Sequence, residues 1–136
     1  MLAVPSGTSV TDNPAHEVLV VEDDPAIRRL VAMVLQRQGY RTETASDGIE
    51  AVLKLGVSAY DVIVLDLMMP NLDGFAFLGK LADSHPERLR SVIVTSAASP
   101  NLIRERMKGQ TYMVLPKPFD IHELVAAVRS CIASQS

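Results

Sequence analysis

The sequence predicts an α/β fold: a single, doubly wound, five-stranded parallel sheet with helices on both faces. Three observations predict it. Short unbroken apolar runs at residues 18–21, 62–65 and 92–94 have the length and Val/Ile content of strands covered on both sides. Segments with apolar residues at helical spacing separate the runs, so strand and helix alternate five times along the chain. The runs also end in polar chemistry. Glu22, Asp23 and Asp24 follow the first, Asp66 the third, Thr95 and Ser96 the fourth, and Lys117 stands between two prolines after the fifth. Parallel strands open their binding crevice at their carboxyl ends, which would gather these groups on one edge of the sheet.

Taken in order, residues 1–16 are rich in Ser, Thr, Pro, Asn and Asp without apolar period and are expected to form a mobile tail, with His16 solvated. The first strand follows, and Asp24-Pro25 opens a helix carrying Ile27, Leu30, Val31, Val34 and Leu35, with Gly39 as its stop. Residues 40–45 alternate like a strand near the sheet edge. Ser46 or Asp47 caps a second helix running to Leu55, with Gly56 after it. The third strand ends at Asp66, and a Pro/Asn/Gly loop leads to a third helix over residues 74–84, closed by His85-Pro86. After the fourth strand, residues 101–109 predict a fourth helix with a narrow apolar stripe and a solvated face bearing Arg104, Arg106 and Lys108. Residues 112–115 give the fifth strand. The last helix begins at Asp120-Ile-His-Glu123, a capping-box variant with His122 facing solvent, and repeats Ile121, Leu124, Val125, Val128 and Ile132.

The 136 residues, 48% hydrophobic and 21% charged, suit one domain with a proper core. A net charge of -3 offers no electrostatic footprint for nucleic acid, so none is expected to bind this segment directly. Cys131 is the only cysteine and can form no internal disulfide. No apolar stretch is long enough to span a membrane and no signal peptide opens the chain, so a cytoplasmic protein is expected.

Four segments together resemble a known family. Val20-Val-Glu-Asp-Asp24, Leu65-Asp-Leu-Met-Met-Pro-Asn-Leu-Asp-Gly74, Val94-Thr-Ser-Ala97 and Leu115-Pro-Lys-Pro-Phe119 are similar, in order and rough spacing, to the motifs of the receiver domain of two-component response regulators. One such motif is weak, whereas four in register are specific. The resemblance covers residues 17–133, leaving 1–16 and 134–136 as tails, and implies the flavodoxin-like strand order 2-1-3-4-5. That order sets Glu22 and Asp23 beside Asp66. Neighbouring carboxylates repel by about 4 kcal/mol at roughly 4 Å with an effective dielectric near 20, so the cluster calls for a divalent cation. Mg2+ suits it, taking hard oxygen ligands while keeping several waters.

The resemblance implies that Asp66 is a phosphoacceptor and that Asp23, Asp66, Glu22 and the backbone carbonyl of Met68 hold the metal. It implies that Lys117 pairs with phosphoryl oxygens, next to a Lys117-Pro118 bond suited to the cis form. The switch hydroxyl is assigned to Ser96, with Thr95, read as the final strand residue, as the alternative. A histidine kinase or phosphotransfer protein would supply the phosphoryl group. A downstream protein or a separate output domain would read the result, and a homodimer formed on phosphorylation is allowed; no recognisable output domain follows Ala133. The chain is expected to be no enzyme beyond catalysing its own phosphorylation and dephosphorylation. Two other readings compete. A haloacid-dehalogenase-like aspartyl-phosphate hydrolase usually has a second Asp where Met68 stands, and a degenerate receiver used as a constitutive binding module would not need the intact set of acids, hydroxyl and Lys. Val114 replaces the family's usual aromatic, and Tyr112-Met113 replaces the acidic pair of many DNA-binding regulators, so neither an aromatic relay nor a charge-paired dimer face is expected.

Overall fold

The computed structural model describes residues 15–68, 73–106 and 111–135. The expected tail over residues 1–14, loop residues 69–72 and the end of the expected fourth helix at 107–109 lie outside the described residues. In chain order the elements are β1 (Glu17–Val21), α1 (Pro25–Arg37), β2 (Arg41–Ala45), α2 (Gly48–Val57), β3 (Val62–Asp66) and α3 (Gly74–Ser84). A 3-10 helix (Pro86–Ser91), β4 (Val92–Ser96), α4 (Pro100–Arg106), β5 (Met113–Pro116) and α5 (Ile121–Ala133) complete them. All four strand pairings are parallel, and the order is β2-β1-β3-β4-β5.

Strand residues alternate between two apolar layers, which is why the central runs read as unbroken. Leu19, Val21, Ile63, Leu65, Val92 and Val94 pack with Phe77, Leu78, Leu81 and Ile103 from α3 and α4. Val18, Val20, Val62, Val64 and Ile93 pack with Val31 and Leu35 of α1 and with Leu124, Val128 and Cys131 of α5. β2, at the edge, shows the expected half-exposed alternation.

Helix ends follow their capping chemistry. Asp24 accepts from the N–H groups of Ala26 and Ile27 at 2.9 and 3.2 Å, and Gly39 leaves α1 at φ +95°. Asp120 accepts from His122 N–H at 2.8 Å while its own N–H donates to Glu123 Oε1 at 3.0 Å, completing the capping box.

Several expectations need correction. α2 runs through Gly56 to Val57, because a lone glycine costs only about 1 kcal/mol against alanine while Ser58 N–H still closes the turn on Lys54 C=O at 2.9 Å. β4 includes both Thr95 and Ser96, since Ser96 pairs with Pro116; Thr95 is therefore not the last strand residue. His16 is not merely solvated: its Nδ1 lies 3.5 Å from Asp61 Oδ2. Arg106 stacks over the Phe75 ring at 4.0 Å instead of simply facing water. Tyr112 lies before β5 and packs with the α1 and α5 layer, its hydroxyl bonded to that of Ser130, whereas Val114 packs with the α3 layer. Of the expected tail at 134–136, Gln135 is not free: its Nε2 donates to Asp61 C=O at 2.9 Å and Cys131 C=O at 3.1 Å, and residue 136 lies outside the described residues.

Candidate functional site

The register of the sheet builds the site. Val21 pairs with Leu65, Asp66 with Thr95 and Ser96 with Pro116, so the last residue of β3 and the residues just past β1 and β5 line up across one edge. One carboxylate oxygen from each of Glu22, Asp23 and Asp66 lies within 4.8 Å of the others. Glu22 and Asp66 are buried at 4% exposure each, and Asp23 is open to solvent. Lys117 Nζ donates to Glu22 Oε1 at 3.0 Å and lies 3.4 Å from Asp66 Oδ2, so the ammonium bridges the two buried acids. The Lys117-Pro118 peptide bond is cis, as expected.

Short loops fix each group. Asp66 Oδ1 accepts from Met68 N–H at 3.1 Å, and Glu22 Oε2 accepts from Asp24 N–H at 3.2 Å. Behind Asp66 the chain turns tightly into α3. Gly74 N–H donates to Leu67 C=O at 3.0 Å, and a Cβ on Gly74 would come within 2.5 Å of Leu67 Cα and 2.9 Å of the Asp66 carbonyl oxygen. Only glycine fits that approach. On the other side Ser96 is fully buried, its Oγ accepting from Ala98 N–H at 3.0 Å and its carbonyl from Lys117 N–H at 2.8 Å. Thr95, also buried, accepts Leu67 N–H on its carbonyl at 3.1 Å.

Three carboxylates face one ammonium, and the electrostatics show the strain. Burial pushes the Glu22 carboxyl up to about 7, the charge of Asp66 adding to it while the hydrogen bonds from Lys117 and the Asp24 N–H oppose it. Burial also works against the Lys117 ammonium, but the Glu22 hydrogen bond and the Asp66 charge override it and hold its pKa above the ordinary value. Lys117 thus stays charged, and Glu22 keeps its proton to a higher pH than an ordinary carboxyl does. A divalent cation relieves the same crowding. The donor set consists of hard oxygens only, two buried and one open to water, which fits an ion that keeps part of its hydration shell.

Glu22, Asp23, Asp66 and Lys117 are therefore brought together, Met68 is joined to Asp66 through its N–H, and Ser96 is joined to Lys117 through its carbonyl. Asp24 belongs to the acidic run but is spent on capping α1. Three positioning residues escaped sequence reasoning. Arg28 Nη1 donates to the carbonyls of Glu22 and Asp23 at 2.9 and 3.3 Å, tying α1 to the acidic loop, and no pattern in the chain marked it. Asp73 caps α3 by accepting Ala76 N–H at 2.8 Å; an Asp directly before the helix was the available signal. Asp61 Oδ2, accepting Glu17 N–H at 2.7 Å, pins the start of β1 to that of β3.

Comparison with known proteins points one way. Residues 18–129 match the family model described as response regulator receiver domain. The chain is 35% identical over 130 residues to the transcriptional regulatory protein TrcR of Mycobacterium tuberculosis, covering 92% of this chain and 48% of that protein. It is 34% identical over 120 residues to the DNA-binding dual master transcriptional regulator RpaA of Synechocystis, covering 85% and 48%. The chain thus spans about half the length of these curated relatives. Among solved structures, the receiver domain of the Francisella response regulator 1452 superposes with a TM-score of 0.79 at 34% identity, covering 89% of this chain and 99% of that one. The response regulator TrrA of Thermotoga maritima, solved in complex with Mg(2+)-BeF, gives 0.72 at 29% identity, covering 85% and 98%.

Proposed function

Since the chain belongs to the response regulator receiver domain family, we propose that it accepts a phosphoryl group on Asp66 and thereby switches a protein-interaction surface. The observation that carries this reading is the bridging of buried Glu22 and Asp66 by Lys117 within a carboxylate cluster open to water at Asp23. An oxygen of the Asp66 carboxylate attacks phosphorus. The new O–P bond forms as the bond from phosphorus to the donor breaks, and the electron pair leaves with the donor, which then takes a proton. The donor is a phosphohistidine of a kinase or phosphotransfer protein.

Asp23, Asp66, Glu22 and the Met68 carbonyl would hold Mg2+, whose charge would neutralise that developing on the phosphoryl oxygens. Lys117 exchanges its carboxylate contact for a phosphoryl oxygen and keeps Asp66 oriented until it does. Ser96, whose strand partner Pro116 directly precedes Lys117, follows the added charge of about -1.5 to -2 and draws the β4–α4 loop with it. The chain catalyses only its own phosphorylation and dephosphorylation. Its output passes to a downstream protein or to an output domain such as the relatives' additional length provides for. The hydrolase reading is not favoured, because exposed Met68 stands where that family places its second acid.

Intact-mass measurement after incubation with acetyl phosphate and Mg2+ should show one added phosphoryl unit. Asp23→Ala should slow the labelling while keeping the fold, since losing one acid also relieves repulsion. The assignment fails if Asp66→Asn labels as the parent does, or if labelling is complete in chelator.

A further inference from the structure

A second feature lies away from the carboxylate edge, where the C-terminal half of α2 faces α3 and the following 3-10 helix. A cleft of about 220 Å³ opens there. Its floor is apolar, formed by Val52, Leu55, Phe77 and Leu81, and its rim carries Lys80 and Arg88. Gly56 leaves the α2 side low, with nothing within 4 Å of where its Cβ would stand. The apolar floor continues onto the solvent face of α2 through Leu53 and Val57, exposed at 67% and 87%.

Charge decides what fits. The one acid and one base of α2 are already satisfied within the chain: Glu50 accepts from the Ser46 N–H and hydroxyl, and Lys54 lies 3.6 Å from Glu50 and donates to Thr44 C=O. His85, at the end of the cleft, is 3.4 Å from Glu87. No ion pair engages Lys80 or Arg88 among the described residues, and both flank the apolar floor of a chain whose net charge is -3. The volume is below the roughly 300–1,000 Å³ of small-molecule sites, and is suited to one or two side chains of a polypeptide.

We propose that the α2–α3 cleft docks an acidic amphipathic segment of a partner protein, with a large apolar side chain on the Val52, Leu55, Phe77 and Leu81 floor and carboxylates toward Lys80 and Arg88. The site is separate from the carboxylate edge and does not depend on the reading of Asp66. It gives the molecule a charge-selected surface on the flank opposite α1 and α5.

The test uses three synthetic peptides with the same leucine and phenylalanine anchors, carrying glutamates, glutamines or lysines between them. Each is titrated into the 15N-labelled chain while backbone amide shifts are followed. The glutamate peptide should give saturable shifts at Val52, Leu55, Gly56 and Leu81, and added salt should weaken its binding. Lys80→Glu with Arg88→Glu should weaken it about tenfold, as reversing one exposed and one half-buried charge implies. Gly56→Leu should fill the cleft and abolish the shifts with Tm unchanged or higher, since a leucine there meets open space and favours the helix. The proposal is overturned if no saturable shifts appear in the cleft, or if the lysine peptide binds as well. Shifts at these residues that grow with protein concentration alone would overturn it too, and would assign the cleft to a second copy of the chain.

Discussion

Ser96 and Thr95 are both sealed from water, yet their surroundings differ in a way that makes Ser96 the better candidate for the proposed switch. Thr95 sits within the pairing of β3 and β4 opposite Asp66, whereas Ser96 ends the strand, with its Oγ on Ala98 N–H at the start of the following loop. Moving the Ser96 hydroxyl releases a loop hydrogen bond worth about 1 kcal/mol, so a phosphoryl acceptor can compete for it. Ser96→Ala should therefore still label at Asp66 with acetyl phosphate but lose most of the phosphorylation-dependent amide shifts over residues 97–106. Thr95→Val should keep them; the opposite pattern would make Thr95 the reporting hydroxyl. At this scale the sequence showed residue types at strand ends, enough to nominate Glu22, Asp23, Asp66 and Lys117. It could not show that Arg28 would reach back to two carbonyls, because that depends on how α1 leaves the sheet.

Between elements, the tightest constraint is the turn from β3 into α3. The Cβ of Gly74→Ala would lie 2.5 Å from backbone that cannot swing away, so Leu67 must shift and carry Asp66 with it. Overpacking of this kind costs about 1–3 kcal/mol. Denaturant unfolding should show that loss, and acetyl phosphate labelling should slow more than in Gly79→Ala, whose Cβ meets nothing within 4 Å. Equal rates in the two variants would show that the turn does not set the Asp66 geometry. The central strands were legible because burial on both faces leaves an unbroken Val/Ile/Leu run, and the capping residues marked most helix starts. Ends were less so. Gly56 looks like a stop in sequence but has room inside α2, and the 3-10 helix over Pro86–Ser91 is anchored by one buried residue, Leu89, too little for a periodic signal.

For the whole molecule, the raised Glu22 carboxyl couples folding to pH. Its pKa of about 7 in the fold exceeds the ordinary 4.5, so between these values the metal-free folded chain holds a proton that the unfolded chain releases. The stabilisation is fully present below about 4.5 and is lost as pH rises through about 7; its upper size is roughly 3 kcal/mol. Thermal melts of the metal-free protein should accordingly fall more between pH 5.5 and 7.5 than those of Glu22→Gln. Mg2+ should raise Tm more at pH 7.5, where no proton competes for the carboxylate. Identical pH profiles in parent and variant would remove Glu22 from this role. The overall layout was readable because strand-helix alternation leaves few topologies, whereas the charge balance required the distances. Those distances have a temporal side as well. Glu22 and Lys117 meet across 95 positions of chain, with the anion just past the first strand and the cation just past the last. A growing polypeptide emerging at about 5–20 residues per second holds the acidic residues for several seconds before their counterion exists, so the charge cluster is balanced only once the segment past the closing strand has emerged.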